Sequence, residues 1–101
     1  MIRAALLLSV FILLFTSAAG AAGDVLAGKD LATQWCGSCH LVGDSGTAAD
    51  SAPPFAALAK DPTVTPDRMS TFLTEPHGGM TGLSLSQQEI DDLVAYIESL
   101  K

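Results

Sequence analysis

The clearest hydrophobic pattern lies at the C-terminal end of the chain. Apolar side chains recur there every three or four positions, which is the spacing of one helical face; they are Ile90, Leu93, Val94, Ile97 and Leu100. Ser86, followed three residues later by Glu89, forms a capping box just before this pattern. We therefore predict a terminal helix that begins after residue 86. Its other face is predicted to be acidic and exposed, with Glu89, Asp91, Asp92 and Glu98.

Two earlier segments also have helical patterns. Residues 25–35 place apolar side chains at roughly helical spacing, and Asp24 is a suitable N-cap. A second helix is predicted to begin after Thr65, another N-cap residue, with Pro66 in the first helical position. Its apolar face carries Met69, Phe72 and Leu73. Together with the terminal helix, these segments predict three main helices.

The rest of the chain after residue 22 predicts loops and short turns rather than strands. Residues 55–60 can form a short helical turn, whereas residues 40–54 and 77–85 are rich in Gly, Ser, Asp and Pro. No run of alternating β-branched residues indicates a strand. We therefore predict an all-α fold with long loops, and such loops in so small a protein usually wrap something or are disordered.

The N-terminal segment, residues 1–21, has the layout of a secretory signal peptide. Arg3 precedes an apolar run over residues 4–15, and small residues follow it. Cleavage is predicted after Ala21, which leaves one domain over residues 22–101. The alternative is a membrane anchor, because residues 4–23 carry no charge and are about long enough to cross a bilayer. The short apolar core favours cleavage and export.

Charge and size restrict what the exported domain can bind. The chain has 101 residues, with 5 Lys and Arg and 11 Asp and Glu. All 11 acids and 4 of the bases follow residue 21, so the net charge after cleavage is 4 − 11 = −7. This balance argues against nucleic acid and against an anionic membrane surface as partner. The small core that remains is expected to need a disulfide, a metal or a cofactor.

Both cysteines of the chain lie in the string Gln-Trp-Cys-Gly-Ser-Cys-His at residues 34–40. The Trp-Cys-Gly-x-Cys part is typical of a thioredoxin dithiol, and the Cys-x-x-Cys-His part is typical of c-type haem attachment. A thioredoxin site needs a strand before its first cysteine, whereas residues 25–35 predict a helix. Haem accounts for more of the string, because Cys36 and Cys39 can reach two vinyl groups while His40 binds iron.

Two other readings of the same string are weaker. Cys36, Cys39 and His40 could bind zinc with His77 as a fourth ligand, but adjacent residues are awkwardly placed around one tetrahedral ion. A disulfide between the two cysteines would close a very short loop and leave His40 and the long loops unexplained.

Three further motifs give the chain its resemblance to a known family. Ala-Pro-Pro-Phe at residues 52–55, Glu-Pro-His-Gly-Gly-Met at 75–80 and Leu-Val-Ala-Tyr-Ile-Glu-Ser-Leu at 93–100 follow the cysteine string. Together they resemble a small class I monohaem cytochrome c of the bacterial periplasmic kind. The resemblance implies a cytochrome c fold, in which helices and long loops wrap one haem c per chain, bound covalently through Cys36 and Cys39.

The resemblance also implies which residues surround the iron. His40 and Met80 would be its axial ligands, and the carbonyl of Pro53 would accept a hydrogen bond from Nδ1 of His40. Trp35 and Tyr96 would lie close to the haem.

Two further features of the family's pattern concern helix packing and the ligand loop. Gly28 would let the first helix cross the last one near Leu93 and Tyr96, although Ala32 stands where the family often has an aromatic residue. The resemblance implies that His77 is a loop residue that does not bind iron, because a His commonly precedes the axial Met in similar cytochromes. Thr81 stands where a proline often follows that Met. We hypothesise that this loop is loose, so that Met80 can be displaced and His77 can substitute for it.

The function implied by the resemblance is one-electron transfer without enzyme activity. Two alternatives keep the haem, namely an electron-transfer subunit of a dehydrogenase and a haem-based sensor; a third is a thiol-disulfide oxidoreductase. The expected partners are donor and acceptor redox proteins that are basic or apolar at the docking surface. The mature chain has too few bases for a lysine ring around the haem edge, with only Lys29, Lys60, Arg68 and Lys101. A monomer is expected.

Overall fold

The computed structural model describes residues 23–43, 52–78 and 82–101, and within these ranges the chain is helical without strands. The elements in chain order are α1 (Val25–Leu31), a π-helical segment (Ala32–Cys36), α2 (Phe55–Lys60), α3 (Pro66–Leu73) and α4 (Gln87–Glu98). The predicted all-α fold is confirmed. The predicted signal peptide and Met80 lie outside the described residues.

The terminal helix α4 forms where its capping box and apolar stripe predict it. The Ser86 hydroxyl accepts a hydrogen bond from the backbone N–H of Glu89 at 3.1 Å, and the Glu89 carboxylate accepts one from the Ser86 N–H at 2.9 Å. Both bonds satisfy backbone groups that a helix end otherwise leaves unpaired. The inward face of α4 is buried and supplies much of the core, with Ile90, Leu93, Val94, Tyr96 and Ile97.

The close crossing of α1 and α4 depends on Gly28. A Cβ atom at this position would lie 1.9 Å from the backbone carbonyl oxygen of Asp92 and 2.8 Å from Cβ of Tyr96. Neither separation is possible between real atoms, so only glycine lets the two backbones approach this closely. The crossing predicted at Gly28 is therefore present, and it is centred on Asp92 and Tyr96.

The prediction that Asp92 lies on the exposed face of the last helix is wrong. Its residue surface is only 7% exposed. One carboxylate oxygen accepts hydrogen bonds from the backbone N–H of Asp24 and from Nε2 of Gln88, both at 2.8 Å. The start of α1 lies against this turn of α4, and the carboxylate satisfies an N–H group that the N-terminus of α1 would otherwise leave unpaired.

The first helix changes its hydrogen-bonding pattern before it reaches the cysteines. Asp24 caps α1 as predicted, since its carboxylate accepts from the N–H groups of Leu26 and Ala27. From Ala32 onward the turns widen into the π-helical segment, which ends at Cys36. Such segments often occur at functional sites. Here the segment connects α1, which crosses α4, to Cys36, its last residue.

The two middle helices form as predicted, with one difference in the placement of a side chain. In α3 the Thr65 hydroxyl accepts from the N–H of Arg68 at 3.2 Å, and Met69 is buried in the core. Phe72 was predicted on the same apolar face, but it is 59% exposed. In α2, Phe55 is buried and its ring centroid lies 6.5 Å from that of Tyr96.

Replacement of Gly28 by alanine should strongly destabilise the haem-loaded protein. The added methyl group must force α1 and α4 apart, and overpacking of this kind costs about 1–3 kcal/mol. The better helix propensity of alanine offsets about 1 kcal/mol of that loss at most. Urea unfolding measures the difference. Gly43→Ala is the matched control, because a Cβ at Gly43 meets nothing within 4 Å; equal losses in both variants would contradict the close crossing.

Asp92→Ala should lower the free energy of unfolding by about 1–3 kcal/mol, since it removes the acceptor of a partly buried backbone N–H. The adjacent Asp91 is the control: it accepts only an exposed hydrogen bond from Gln87, so Asp91→Ala should change stability by less than about 0.5 kcal/mol. Chemical denaturation of both variants tests this, and the interpretation fails if the two variants unfold alike.

Candidate functional site

A cavity of about 840 Å³ opens between the cysteine turn, the loop before α2 and the residues that follow α3. Its wall includes Cys36, Cys39, His40, Pro53, Phe72 and His77. Its volume lies within the range of sites that hold a large organic ligand, about 300–1,000 Å³. The cavity brings together residues from three parts of the chain that the sequence separates widely.

The two cysteines lie on a tight turn with free thiols. The N–H groups of Cys39 and His40 both donate to the carbonyl of Cys36, at 3.2 and 2.9 Å. Cys36 is buried and Cys39 is exposed, and burial raises the pKa of the Cys36 thiol. A thioredoxin-type nucleophile needs a lowered thiol pKa. This site has the opposite shift, and a helical segment precedes it where the dithiol requires a strand.

His40 is oriented by one short hydrogen bond. Its Nδ1 lies 2.6 Å from the backbone carbonyl oxygen of Pro53. A carbonyl oxygen can only accept, so Nδ1 carries the proton and Nε2 of the neutral ring has its lone pair available. The Phe55 ring packs beside the imidazole, with centroids 5.0 Å apart. A histidine held in this way, with its second nitrogen presented for coordination, is the usual arrangement of a metal ligand.

A second histidine faces the same cavity. The ring of His77 lies 6.3 Å from that of His40 and 4.5 Å from that of Phe72, measured between centroids. Its Nδ1 is shielded from solvent and has no hydrogen-bond partner among the residues that the structure describes. Desolvation, and next the electrostatic interaction with the neighbouring His40, lower the pKa of His77. Both effects favour the neutral imidazole of His77.

The two aromatic residues predicted beside the haem occupy different positions. Trp35 is on the cavity wall and 49% exposed. Tyr96 is buried in α4 instead, where its hydroxyl donates to the carbonyl of Val42. It contacts the site through Phe55. Phe72 also lines the cavity and was not predicted there. The apolar spacing in α3 does not distinguish a residue that faces a ligand from one that packs in the core.

Within the described ranges, no group of three or more His, Cys, Asp or Glu side chains is gathered as a metal ion would require. The zinc interpretation therefore has no support there. Haem fits the residues that are present, because its ring needs a large apolar cavity, its two vinyl groups need two free thiols, and its iron needs an oriented imidazole. Cys36, Cys39 and His40 supply these groups on one wall.

Comparison with known proteins agrees with this fit. The family model described as cytochrome c oxidase, cbb3-type, subunit III matches residues 23–97. The chain belongs to the c-type cytochrome family. Cytochrome c-552 of Bradyrhizobium diazoefficiens is 38% identical to this cytochrome over 87 residues, which are 85% of the chain and 84% of that protein. No solved structure matches it significantly.

Membership establishes that the cytochrome binds haem c covalently and transfers electrons between redox partners. The bound haem supplies the one-electron chemistry, because its iron alternates between Fe(II) and Fe(III). Proteins of this family are generally electron carriers rather than enzymes, and they are typically exported. Of the helices in the described residues, none has the length and hydropathy to cross a membrane.

Proposed function

We propose that the protein is a periplasmic one-electron carrier whose single haem is attached to Cys36 and Cys39 and coordinated by His40 and Met80. The observation that carries this proposal is the His40 hydrogen bond to Pro53 beside two free thiols on the wall of one cavity. The bond supports His40 as ligand because it fixes the tautomer and raises the basicity of the ligating nitrogen.

Met80 is proposed as the second axial ligand from its place in the chain. The residues on either side of its loop, Gly78 and Gly82, both line the cavity, and both have positive φ angles of 54° and 93°. Their conformations turn the chain at the cavity wall. Met69, the other methionine after residue 22, is buried in the core. A thioether ligand opposite His40 would favour the reduced iron and raise the reduction potential relative to two histidines.

Two occupied axial positions leave no open coordination site for a substrate, so the proposed role excludes catalysis at the iron. A haem sensor would need such a vacancy, and carbon monoxide binding by the reduced protein at neutral pH is the observation that would favour it. Stable co-purification with a dehydrogenase would favour the subunit role instead.

We infer that the protein is a monomer and that its donor and acceptor proteins are basic or apolar at the docking surface. Trp35 and Phe72 supply exposed aromatic surface at the cavity wall. The acidic net charge would attract a basic partner over longer distances.

Export follows from the proposed division into a signal peptide, residues 1–21, and a mature domain, residues 22–101. Mass analysis of the purified protein should give a mature chain that begins at Ala22. A chain that still begins at Met1 would contradict cleavage.

The covalent attachment is tested by denaturing the purified protein and titrating its thiols. We expect one haem to stay on the chain, as measured by the pyridine haemochrome spectrum, with no free thiol. Cys36→Ser combined with Cys39→Ser should release all haem on denaturation, whereas the control Ser38→Ala, between them, should retain it. Two titratable thiols in the wild-type protein would rule the proposal out.

Met80→His should lower the reduction potential, because a second imidazole stabilises the oxidised iron more than a thioether does. The charge-transfer band of methionine–iron(III) ligation should disappear at the same time. Redox titration followed by absorbance measures both. The control Met69→Leu, a conservative change in the core, should leave both unchanged; an unaltered potential in Met80→His would show that Met80 is not a ligand.

The acidic surface predicts how salt changes the rate of electron transfer. Oxidation of the reduced protein by a cationic small-molecule oxidant should slow as ionic strength rises from about 0.01 to 0.15 M, because salt screens the attraction. Oxidation by an anionic oxidant should accelerate over the same range. Stopped-flow absorbance measures both rates, and the same trend for both oxidants would count against an acidic docking region.

A further inference from the structure

The position of His77 is not explained by the proposed axial ligands. We propose that His77 is a second, built-in iron ligand, which takes the sixth coordination position whenever Met80 leaves it. The structure brings its ring to the cavity that holds His40, and its Nδ1 is shielded from water without any hydrogen-bond partner in the part of the chain that the structure describes. Leaving a shielded polar atom unpaired is costly, so this nitrogen is expected to have a partner that the described residues do not provide.

The separation of the two histidine rings fits coordination to one iron. A first-row metal binds an imidazole nitrogen at about 2.0–2.1 Å, and that nitrogen lies about 1 Å from its ring centre, so two imidazoles on opposite sides of one ion have centroids about 6 Å apart. The centroids of His40 and His77 are 6.3 Å apart. Their planes make an angle of 74°, which two rings that share a coordination axis can adopt by rotation about it.

The neighbours of His77 hold the ring in place while the chain beyond it turns. The Phe72 ring lies at a centroid distance of 4.5 Å and is tilted by 39°. This contact gives the exposed Phe72 side chain a function, since it supports the imidazole from α3. Gly78, the next residue, has a φ of +54°, which favours glycine. We therefore expect His77 to stay at the cavity, held by Phe72 of α3, after Met80 leaves the iron.

Exchange of the Met80 thioether for His77 would give the protein two ligation states with different reduction potentials. The imidazole pair stabilises the oxidised iron, so a protein with His77 bound is the weaker oxidant. Conditions that displace Met80 would then lower the potential while keeping the iron closed to outside ligands. This proposal rests on the proposed Met80 ligation.

The test compares the ferric haem-loaded variants Met80→Ala and Met80→Ala/His77→Ala at neutral pH. We expect a low-spin spectrum for the first and a high-spin spectrum for the second, by absorbance and electron paramagnetic resonance. Added imidazole should restore the low-spin spectrum of the double variant, which verifies that its haem site is intact. Because His77 competes for the site, imidazole should bind Met80→Ala about tenfold or more weakly than it binds the double variant.

A matched control removes another side chain near the same loop. Glu75 is exposed, and Met80→Ala/Glu75→Ala should stay low-spin like Met80→Ala. A high-spin Met80→Ala protein would overturn the proposal, as would a double variant with His77 removed that remains low-spin. Retention of the methionine–iron(III) band in Met80→Ala would instead overturn the Met80 assignment, and this proposal with it.

Discussion

The arrangement of the site depends on the crossing of α1 and α4 at Gly28. The backbones meet so closely there that no side chain fits between Gly28 and the carbonyl of Asp92. The buried carboxylate of Asp92 fastens the start of α1 to the same turn through the N–H of Asp24. Because the π-helical segment continues from α1, this crossing determines where Cys36 enters the cavity wall.

The orientation of His40 depends on a hydrogen bond to Pro53, and a backbone hydrogen bond from Phe55 to Leu41 lies beside it. His40 follows the cysteine turn and Pro53 precedes α2, and the hydrogen bond between them joins the two ends of the intervening loop. The carbonyl direction of Pro53 is set by its ψ angle, and Pro54, the next residue, restricts that angle to the extended range. The orientation of the imidazole is thus determined by a rigid acceptor rather than by a flexible side chain.

The aromatic side chains divide into a buried group and an exposed group around the cavity. Phe55 and Tyr96 join the imidazole of His40 to α4, which gives this ring a rigid support. Phe72 and His77 form a separate, more exposed pair on the opposite chain segment. The proposed ligand exchange requires that His40 stays fixed while the segment around His77 can move locally without global unfolding.

Local patterns in the sequence determined the helices and the chemistry of the cysteine string. Capping residues and apolar periodicity are local properties, so α1, α3 and α4 begin where Asp24, Thr65 and Ser86 predict. The roles proposed for the two thiols and for His40 could be inferred because they depend on spacing along the chain. Only the tertiary structure decided that Asp92 is buried, that Phe72 lines a cavity and that the rings of His40 and His77 are 6.3 Å apart. These outcomes depend on which surfaces of distant segments meet, and helical periodicity contains no information about that.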